Sequence, residues 1–351
     1  MFTASTRILL DATSAHVARS WLILGGEAAL AAGIAGYHPE SSVRWQPIDC
    51  REWDNVANLP GNLQIEPPVA NDRPVEGVVI AVTPKRDLAR RWLLMAWHVL
   101  ADEGRLFIAG ANAEGIRPVI RDAAKLFGPA MREDFRSRQR IAMFAANGRV
   151  GEQPAWASKP GVEPGTWEQF TLEVTGNSIP IVTQAGVFAG GRVDAGTRLL
   201  LEALPDRLAG SVLDAGCGAG AIGIVASLLG ADVVDMADVN LLAVQAAQEN
   251  IRRLGLFGCR ACAGDLYSAV EDERYGLIVS NPPFHRGKAI DLSIADRLID
   301  EAPDHLEPGG SLLVVANAFL AYGKRMERVF SRVETVAETR QYHVLQARGP
   351  R

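Results

Sequence analysis

The stretch from Ser211 to Gly223, SVLDAGCGAGAIG, combines residue types from which a ligand site can be built. A short apolar run leads into Gly216, Gly218 and Gly220, and an Ala/Ile/Val-rich segment of helical character follows to Leu229. Strand, glycine loop and helix in that order form the opening turn of a nucleotide-type α/β unit, where missing side chains let a ligand approach the backbone and the helix N-terminus. Gly216-Cys217-Gly218 followed by Ala221 is by itself a weak GxGxxA match. Three further features sharpen it: Asp214 before the loop, Asp238 at the end of the next apolar run, and Asn281-Pro282-Pro283-Phe284.

Each of these residues suits a particular task. Asp238 is placed to accept both hydroxyls of a ribose. Asp235, three residues earlier, points to the opposite face of an extended strand and is the weaker candidate. Asp265 closes a third strand, where it either contacts a purine amine or serves as a turn and cap residue. Asp214 would repel a pyrophosphate but suits an ammonium, which favours S-adenosylmethionine over NAD as the ligand. In Asn281-Pro282-Pro283-Phe284, the Asn281 side-chain oxygen and the Pro282 carbonyl can accept the two N–H groups of an exocyclic amine. That steers an otherwise delocalised lone pair toward a methyl donor. The prolines fix the turn, and Phe284 offers a stacking face, an interaction worth ~1–3 kcal/mol per base. Positioning, more than strong base catalysis, would supply the rate.

The elements that hold these groups imply an α/β fold. At 351 residues the chain is long enough for two domains. A formal charge of −5 argues against coating nucleic acid through net charge, while local basic patches stay open. Four cysteines do not make a disulfide framework, and a reducing cytoplasm is expected. Cys259-x-x-Cys262 lacks a second pair for zinc and reads as two small residues packed around a strand. The N-terminus shows no basic-then-apolar signal, and apolar runs fall short of the ~20 residues of a membrane span. No metal and no membrane are therefore expected.

In chain order, Arg7–Ala12 and Ser20–Gly26 look like strands. The second lies beside the glycine stretch, with Gly25 on Gly216, Ile23 on Asp214, Glu27 on Gly218 and Ala28 on Ala219. Gly77–Asn112 likewise parallels Gly276–Asn317, with Pro84 on Pro283, Val82 on Asn281 and Lys85 on Phe284. This predicts an internal duplication whose first copy has lost its chemistry. The Gly- and Pro-rich residues 148–165 read as a linker between domains 1–147 and 166–351. Arg132, Arg136, Arg138 and Arg140, with Lys85, Arg86, Arg90 and Arg91, either form a phosphate-contacting face or a solvated surface. After the linker, two short strands flank Gly176-Asn177, Asp194 and Thr197 are candidate helix caps, and a closing strand pair ends the chain.

Together, DAGCGAG, the acid in MADVN, AGDL, SNPPFH and the lead-in GVFAGGRVDAGTRLLLEALP resemble the class I S-adenosylmethionine-dependent methyltransferases of exocyclic amines. Within these, the chain is similar to the tandem-domain bacterial ribosomal RNA guanine-N2 methyltransferases of the small-subunit type, closely in its second half and loosely in its first. The resemblance implies two Rossmann-like domains, the second with a seven-stranded sheet whose last strand is antiparallel. It implies that Asp214, Gly216 and Gly218 line the methionine moiety, Asp238 the ribose and Asp265 the adenine. Phe188 and Asp194 would close the cofactor site, and Asn281, Pro282 and Phe284 would form the target pocket. A cytoplasmic monomer acting on ribosomal RNA or the ribosomal subunit is the implied setting, with the first domain assisting folding or RNA docking. Adenine N6, a protein glutamine amide, or a non-catalytic role as a cofactor- and RNA-binding scaffold are the alternatives.

Overall fold

The computed structural model of the chain describes residues 3–54, 60–69, 73–174, 176–188, 191–283, 285–286, 289–290 and 292–351. It comprises two compact units, Met1–Glu168 with Gln184–Gly186, and Gln169–Thr183 with Val187–Arg351.

The described residues of the first unit form seven strands: β1 (Ser20–Leu24), β2 (Ser42–Gln46), β3 (Leu63–Ile65), β4 (Val75–Ala81), β5 (Leu100–Ala111), β6 (Arg132–Arg136) and β7 (Gln139–Ala145). They form one sheet in the order β3-β2-β1-β4-β5-β7-β6, in which only β7 runs antiparallel to its neighbours. Its helices are α1 (Ala4–Ser14), α2 (Ala28–Tyr37), α3 (Arg51–Asp54), α4 (Arg86–Val99) and α5 (Ile116–Phe127). The expected strand at Arg7–Ala12 is instead part of α1. Thr3 caps it by accepting from the Thr6 N–H, and Thr6, Leu9, Leu10 and Thr13 form its buried face at helical spacing.

The segment expected to be a linker packs on this unit. Arg91, 5% exposed, donates to the carbonyls of Gly161 and Glu163 at 3.3 Å, and Lys159 pairs with Asp87 at 2.7 Å. Burial lowers the Arg91 guanidinium to about 10. Arg86 and Arg90 both grip the buried Asp122. Three of the arginines proposed for a phosphate face thus serve the unit's own packing, because buried carbonyls and a buried carboxylate need donors.

In the second unit β8 (Glu168–Val174) and β9 (Asn177–Thr183) pair as a two-stranded sheet. The main sheet holds β10 (Ser211–Ala215), β11 (Val233–Asp238), β12 (Cys259–Ala263) and β13 (Tyr275–Ser280). After a short pair, β14 (His285–Arg286) and β15 (Ala289–Ile290), it is completed by β16 (Leu306–Asn317), β17 (Phe330–Glu338) and β18 (Tyr342–Pro350). The order is β12-β11-β10-β13-β16-β18-β17, with β18 alone antiparallel. The α-helices of its described residues are α6 (Ala195–Glu202), α7 (Ala221–Leu228), α8 (Leu241–Leu254), α9 (Ser293–Glu301) and α10 (Tyr322–Val329). Val212, Val234, Val279 and Leu313 pack with Leu200, Ile224 and Val244 on one face. Leu213, Ile278 and Leu312 pack with Leu298, Ile299 and Met326 on the other. Alternating side chains of each strand thus feed two cores, as a sheet covered on both faces requires.

The two units are copies in register as well as in strand order. Leu22 pairs with Arg44 and Val78 as Leu213 pairs with Asp235 and Ile278. Gly77 pairs with Arg105 as Leu277 pairs with Ser311, and each ladder has its irregularity at the same step. Two alignments drawn from sequence shift as a result. Val78 matches Ile278, so Ala81, and not Val82, stands where Asn281 stands. A turn proline is a poor anchor, because it is tolerated at several turn positions, whereas ladder pairing is not. Glu27 and Gly220 both precede their helices directly, so the first loop, residues 25–27, is two residues shorter than 216–220. Trp92 fills the space beside Gly25, approaching within 2.5 Å of where its Cβ would lie.

A Cβ on Gly223, inside α7, would lie 2.7 Å from Met236 Cγ and Cε in β11. Gly223→Ala is therefore expected to destabilise the second unit by about 1–3 kcal/mol through overpacking, measured by chemical denaturation followed by tryptophan-independent circular dichroism.

Candidate active site

Parallel strands β12, β11, β10 and β13 end side by side, and Asp214, Asp238, Asp265 and Asn281 sit in the last residues of these strands or directly after them, with Asp194 at the start of α6. Ser280 Oγ donates to the Ala215 carbonyl at 2.6 Å, which ties the end of β13 to the end of β10. The chain leaves β10 through Gly216, Gly218 and Gly220, all with positive φ (78°, 56° and 84°). A Cβ on Gly216 or Gly218 would meet nothing within 4 Å, so this loop borders open space. The Gly216 and Cys217 N–H groups bond the Ala237 carbonyl at 2.8 and 3.0 Å, pinning the loop to β11.

Asp238 ends β11 with one carboxylate oxygen on the Gly218 N–H at 2.9 Å and the other on the Asn240 N–H at 2.8 Å. The carboxylate is thereby oriented beside the loop. The Gly264 N–H bonds the Asp238 carbonyl at 3.1 Å and brings Asp265 alongside. Asp265 caps the turn at Leu266–Ala269 in a reciprocal capping box with Ser268, and Arg297 Nη1 donates to its Oδ2 at 2.8 Å. These contacts show the turn-and-cap role of Asp265, and Arg297 is a partner that sequence reasoning missed. Asp235 faces away from the loop. It is 2% exposed and held by Arg260 at 2.6 Å and by the Tyr275 hydroxyl at 2.6 Å, a packing role.

Asn281 follows β13 and reaches the first turn of α6. Its Nδ2 donates to Thr197 Oγ1 at 2.8 Å and lies 3.3 Å from both oxygens of Asp194. Asp194 is the N-cap of α6, accepting from the Gly196 and Thr197 N–H groups at 2.9 and 3.1 Å. Asp194 and Asn281, assigned from sequence to cofactor and substrate, are therefore in direct contact. Pro282 is buried and Pro283 exposed. Phe284 lies outside the described residues. Phe188 is 66% exposed, outside this hydrogen-bonded network. Cys259 and Cys262 form no disulfide, and burial pushes both thiols up. Among the described residues, no cluster of three or more His, Cys, Asp or Glu could hold a metal ion, and no helix is long and apolar enough to cross a membrane.

Residues 178–346 match the methyltransferase small domain. The chain is 33% identical over 267 residues to the ribosomal RNA small subunit methyltransferase C of Vibrio parahaemolyticus, covering 76% of this chain and 75% of that protein. Against the protein of the same name from Chromohalobacter salexigens, identity is 34% over 303 residues, 85% of each chain. The chain belongs to the ribosomal RNA small subunit methyltransferase C family. A solved structure, the T. thermophilus 16S rRNA N2 G1207 methyltransferase in complex with AdoMet and guanosine, is 26% identical. It superimposes with a TM-score of 0.81, covering 97% of this chain and 92% of that one.

Within this site Asp214 is the acid enclosed by the sheet. It is fully buried, and its Oδ2 accepts the Gly223 N–H at 2.9 Å. Its Oδ1 has no hydrogen-bond partner among the described residues. Burial, with a contribution from the charge of Asp238, pushes its carboxyl up to about 7. The unfolded chain ionises this group near 3.8, so between about pH 4 and 7 the folded state binds the extra proton and stability falls as pH rises. Asp214→Asn removes that dependence. Its melting temperature is expected to gain on the parent as pH is raised from 5 to 8, as scanning calorimetry across that range would show.

Proposed function

We propose that the second unit transfers a methyl group from S-adenosylmethionine to the exocyclic N2 amine of a guanine in the RNA of the small ribosomal subunit. The observation that carries this reading is the Asn281 carboxamide, fastened by Nδ2 to Asp194 and Thr197 at the carboxyl end of β13, next to the open glycine loop. Membership of the methyltransferase C family supports the choice of RNA, and the guanosine named with the T. thermophilus relative supports the choice of base.

The residues fit the cofactor. Asp214 offers a buried carboxylate oxygen without a partner among the described residues, suited to the ammonium group of the ligand. Gly216 and Gly218 leave the loop bare for close approach. Asp238, oriented by two N–H groups, would take the ribose hydroxyls, and Asp265 the adenine amine. Phe188 would close over the site. When bound, S-adenosylmethionine supplies a methyl group on a positively charged sulfur, already activated for displacement.

The chain's own task is then to aim the acceptor. Asn281 Oδ1 and the Pro282 carbonyl would accept the two N–H bonds of N2 and direct its lone pair at the methyl carbon. As the new C–N bond forms, the carbon–sulfur bond breaks, its electron pair stays on sulfur, and one N–H proton leaves to solvent. Phe284 would stack on the base, which must be unpaired or flipped to reach the site. The first unit would bind no cofactor: its loop is two residues short, with Ile23 and Ala81 where Asp214 and Asn281 stand. We place the protein in the cytoplasm as a monomer, where its substrate is made.

Calorimetry is expected to give one S-adenosylmethionine per chain, bound more tightly above pH 7 than below it, because ionised Asp214 attracts the cationic ligand. Two sites, or affinity that falls with rising pH, would contradict the assignment. Asn281→Ala should keep that affinity and lower transfer of labelled methyl to ribosomal RNA by roughly 100-fold or more. Label recovered in protein or in adenine would replace guanine N2 as the acceptor.

A further inference from the structure

We propose that Thr197 is a positioning residue: together with Asp194 it holds the Asn281 carboxamide so that Oδ1, and not Nδ2, faces the acceptor amine. The inference rests on the methyl-transfer reading of the same site. A carboxamide is nearly symmetric in shape, so packing alone cannot choose between its two orientations. The wrong one would present N–H groups to the N–H groups of the substrate.

Hydrogen bonding makes the choice here. Thr197 Oγ1 donates its single proton to Asp194 Oδ2 at 2.6 Å, so toward Asn281, 2.8 Å away, it can only accept. The Asp194 carboxylate, 3.3 Å from the same nitrogen, is also an acceptor. Three acceptor atoms therefore face the inner end of the amide, and Nδ2 is the only end that satisfies them. Thr197 is 9% exposed, which limits competition from water, and its branched Cβ restricts the hydroxyl to few rotamers.

The first unit shows the same device put to another use. Thr3 and Thr6 hold the N-cap and third-residue positions of α1 that Asp194 and Thr197 hold in α6. Ala81 stands at the place of Asn281, and the Thr6 hydroxyl again donates to a carboxylate, that of Glu27. A threonine bound to an acid at the start of this helix is common to both copies. An amide that exploits the threonine's lone pair occurs in the second.

The test compares the parent with Thr197→Val, which keeps the shape, and Thr197→Ser, which keeps the hydroxyl. Thr197→Val is expected to lower kcat for methyl transfer to ribosomal RNA roughly 10- to 100-fold. KM for RNA and the dissociation constant for S-adenosylmethionine should stay within about threefold, and Thr197→Ser should restore kcat. Hydrogen exchange of the Asn281 side-chain NH2, followed by nitrogen-15 NMR, should be slow in the parent and the Ser variant and fast in the Val variant. Unchanged kcat in Thr197→Val, or a loss of kcat matched by equal loss of cofactor affinity, overturns the proposal. Should the parent fail to methylate guanine, the methyl-transfer reading falls, and the exchange measurement still decides. Slow exchange lost only in the Val variant upholds the role of Thr197, and equal exchange in all three proteins refutes it.

Discussion

Parallel pairing of β10 with β11 on one side and β13 on the other is the constraint on which the rest of the second unit depends. Main-chain ladders bring three carboxyl ends level, and everything chemical is hung from them: the glycine loop, Asp238 and Asn281. Because parallel strands are covered on both faces, the side chains below the site are apolar, and the site is where polar groups are first admitted. Two buried carboxylates, Asp214 and Asp235, interrupt that pattern. Asp214 sits inside β10 on the face shared with Val212 and is satisfied only in part, through the Gly223 N–H. A carboxylate kept at such cost makes sense as a ligand group, since structural carboxylates in the same sheet, such as Asp235, are fully partnered.

Much of this was legible in the sequence, and the reasons are particular. Glycines with positive φ cannot be replaced without strain, so the loop announced itself. The acid after the second strand and the amide after the fourth did so by their place in a repeating strand-helix pattern. The fold class followed from the same grammar, and the seven-stranded sheet with its antiparallel β18 from the family resemblance. What failed was short-range reading. Arg7–Ala12 has strand-like composition, but its buried residues step by three and four, which only the capped helix α1 accommodates. Residues 148–165 are rich in Gly and Pro, yet their carbonyls serve a buried guanidinium from α4 that no local pattern signals. The contact of Asn281 with Thr197 joins residues 84 positions apart, and spacing could suggest Thr197 only as a helix cap.

The first unit repeats the sheet order and ladder register of the second almost rung for rung while lacking its polar groups. Its interior has been filled instead. Trp92 lies against Gly25, Trp45 donates its indole N–H to the Gly25 carbonyl, and Glu27 bonds Thr3 and Thr6 across to α1. These contacts use for packing the same carboxyl-end region that the other copy keeps open.

The shorter loop of the first unit limits what side-chain exchange alone could do there. Side chains can be exchanged and exchanged back one at a time, but missing backbone returns only by insertion into a turn now closed over by an indole ring. Restoring an acid and an amide to that half would leave the bend too tight to curve around an adenosyl group. The difference between the two halves is in that sense one of backbone as well as of side chains.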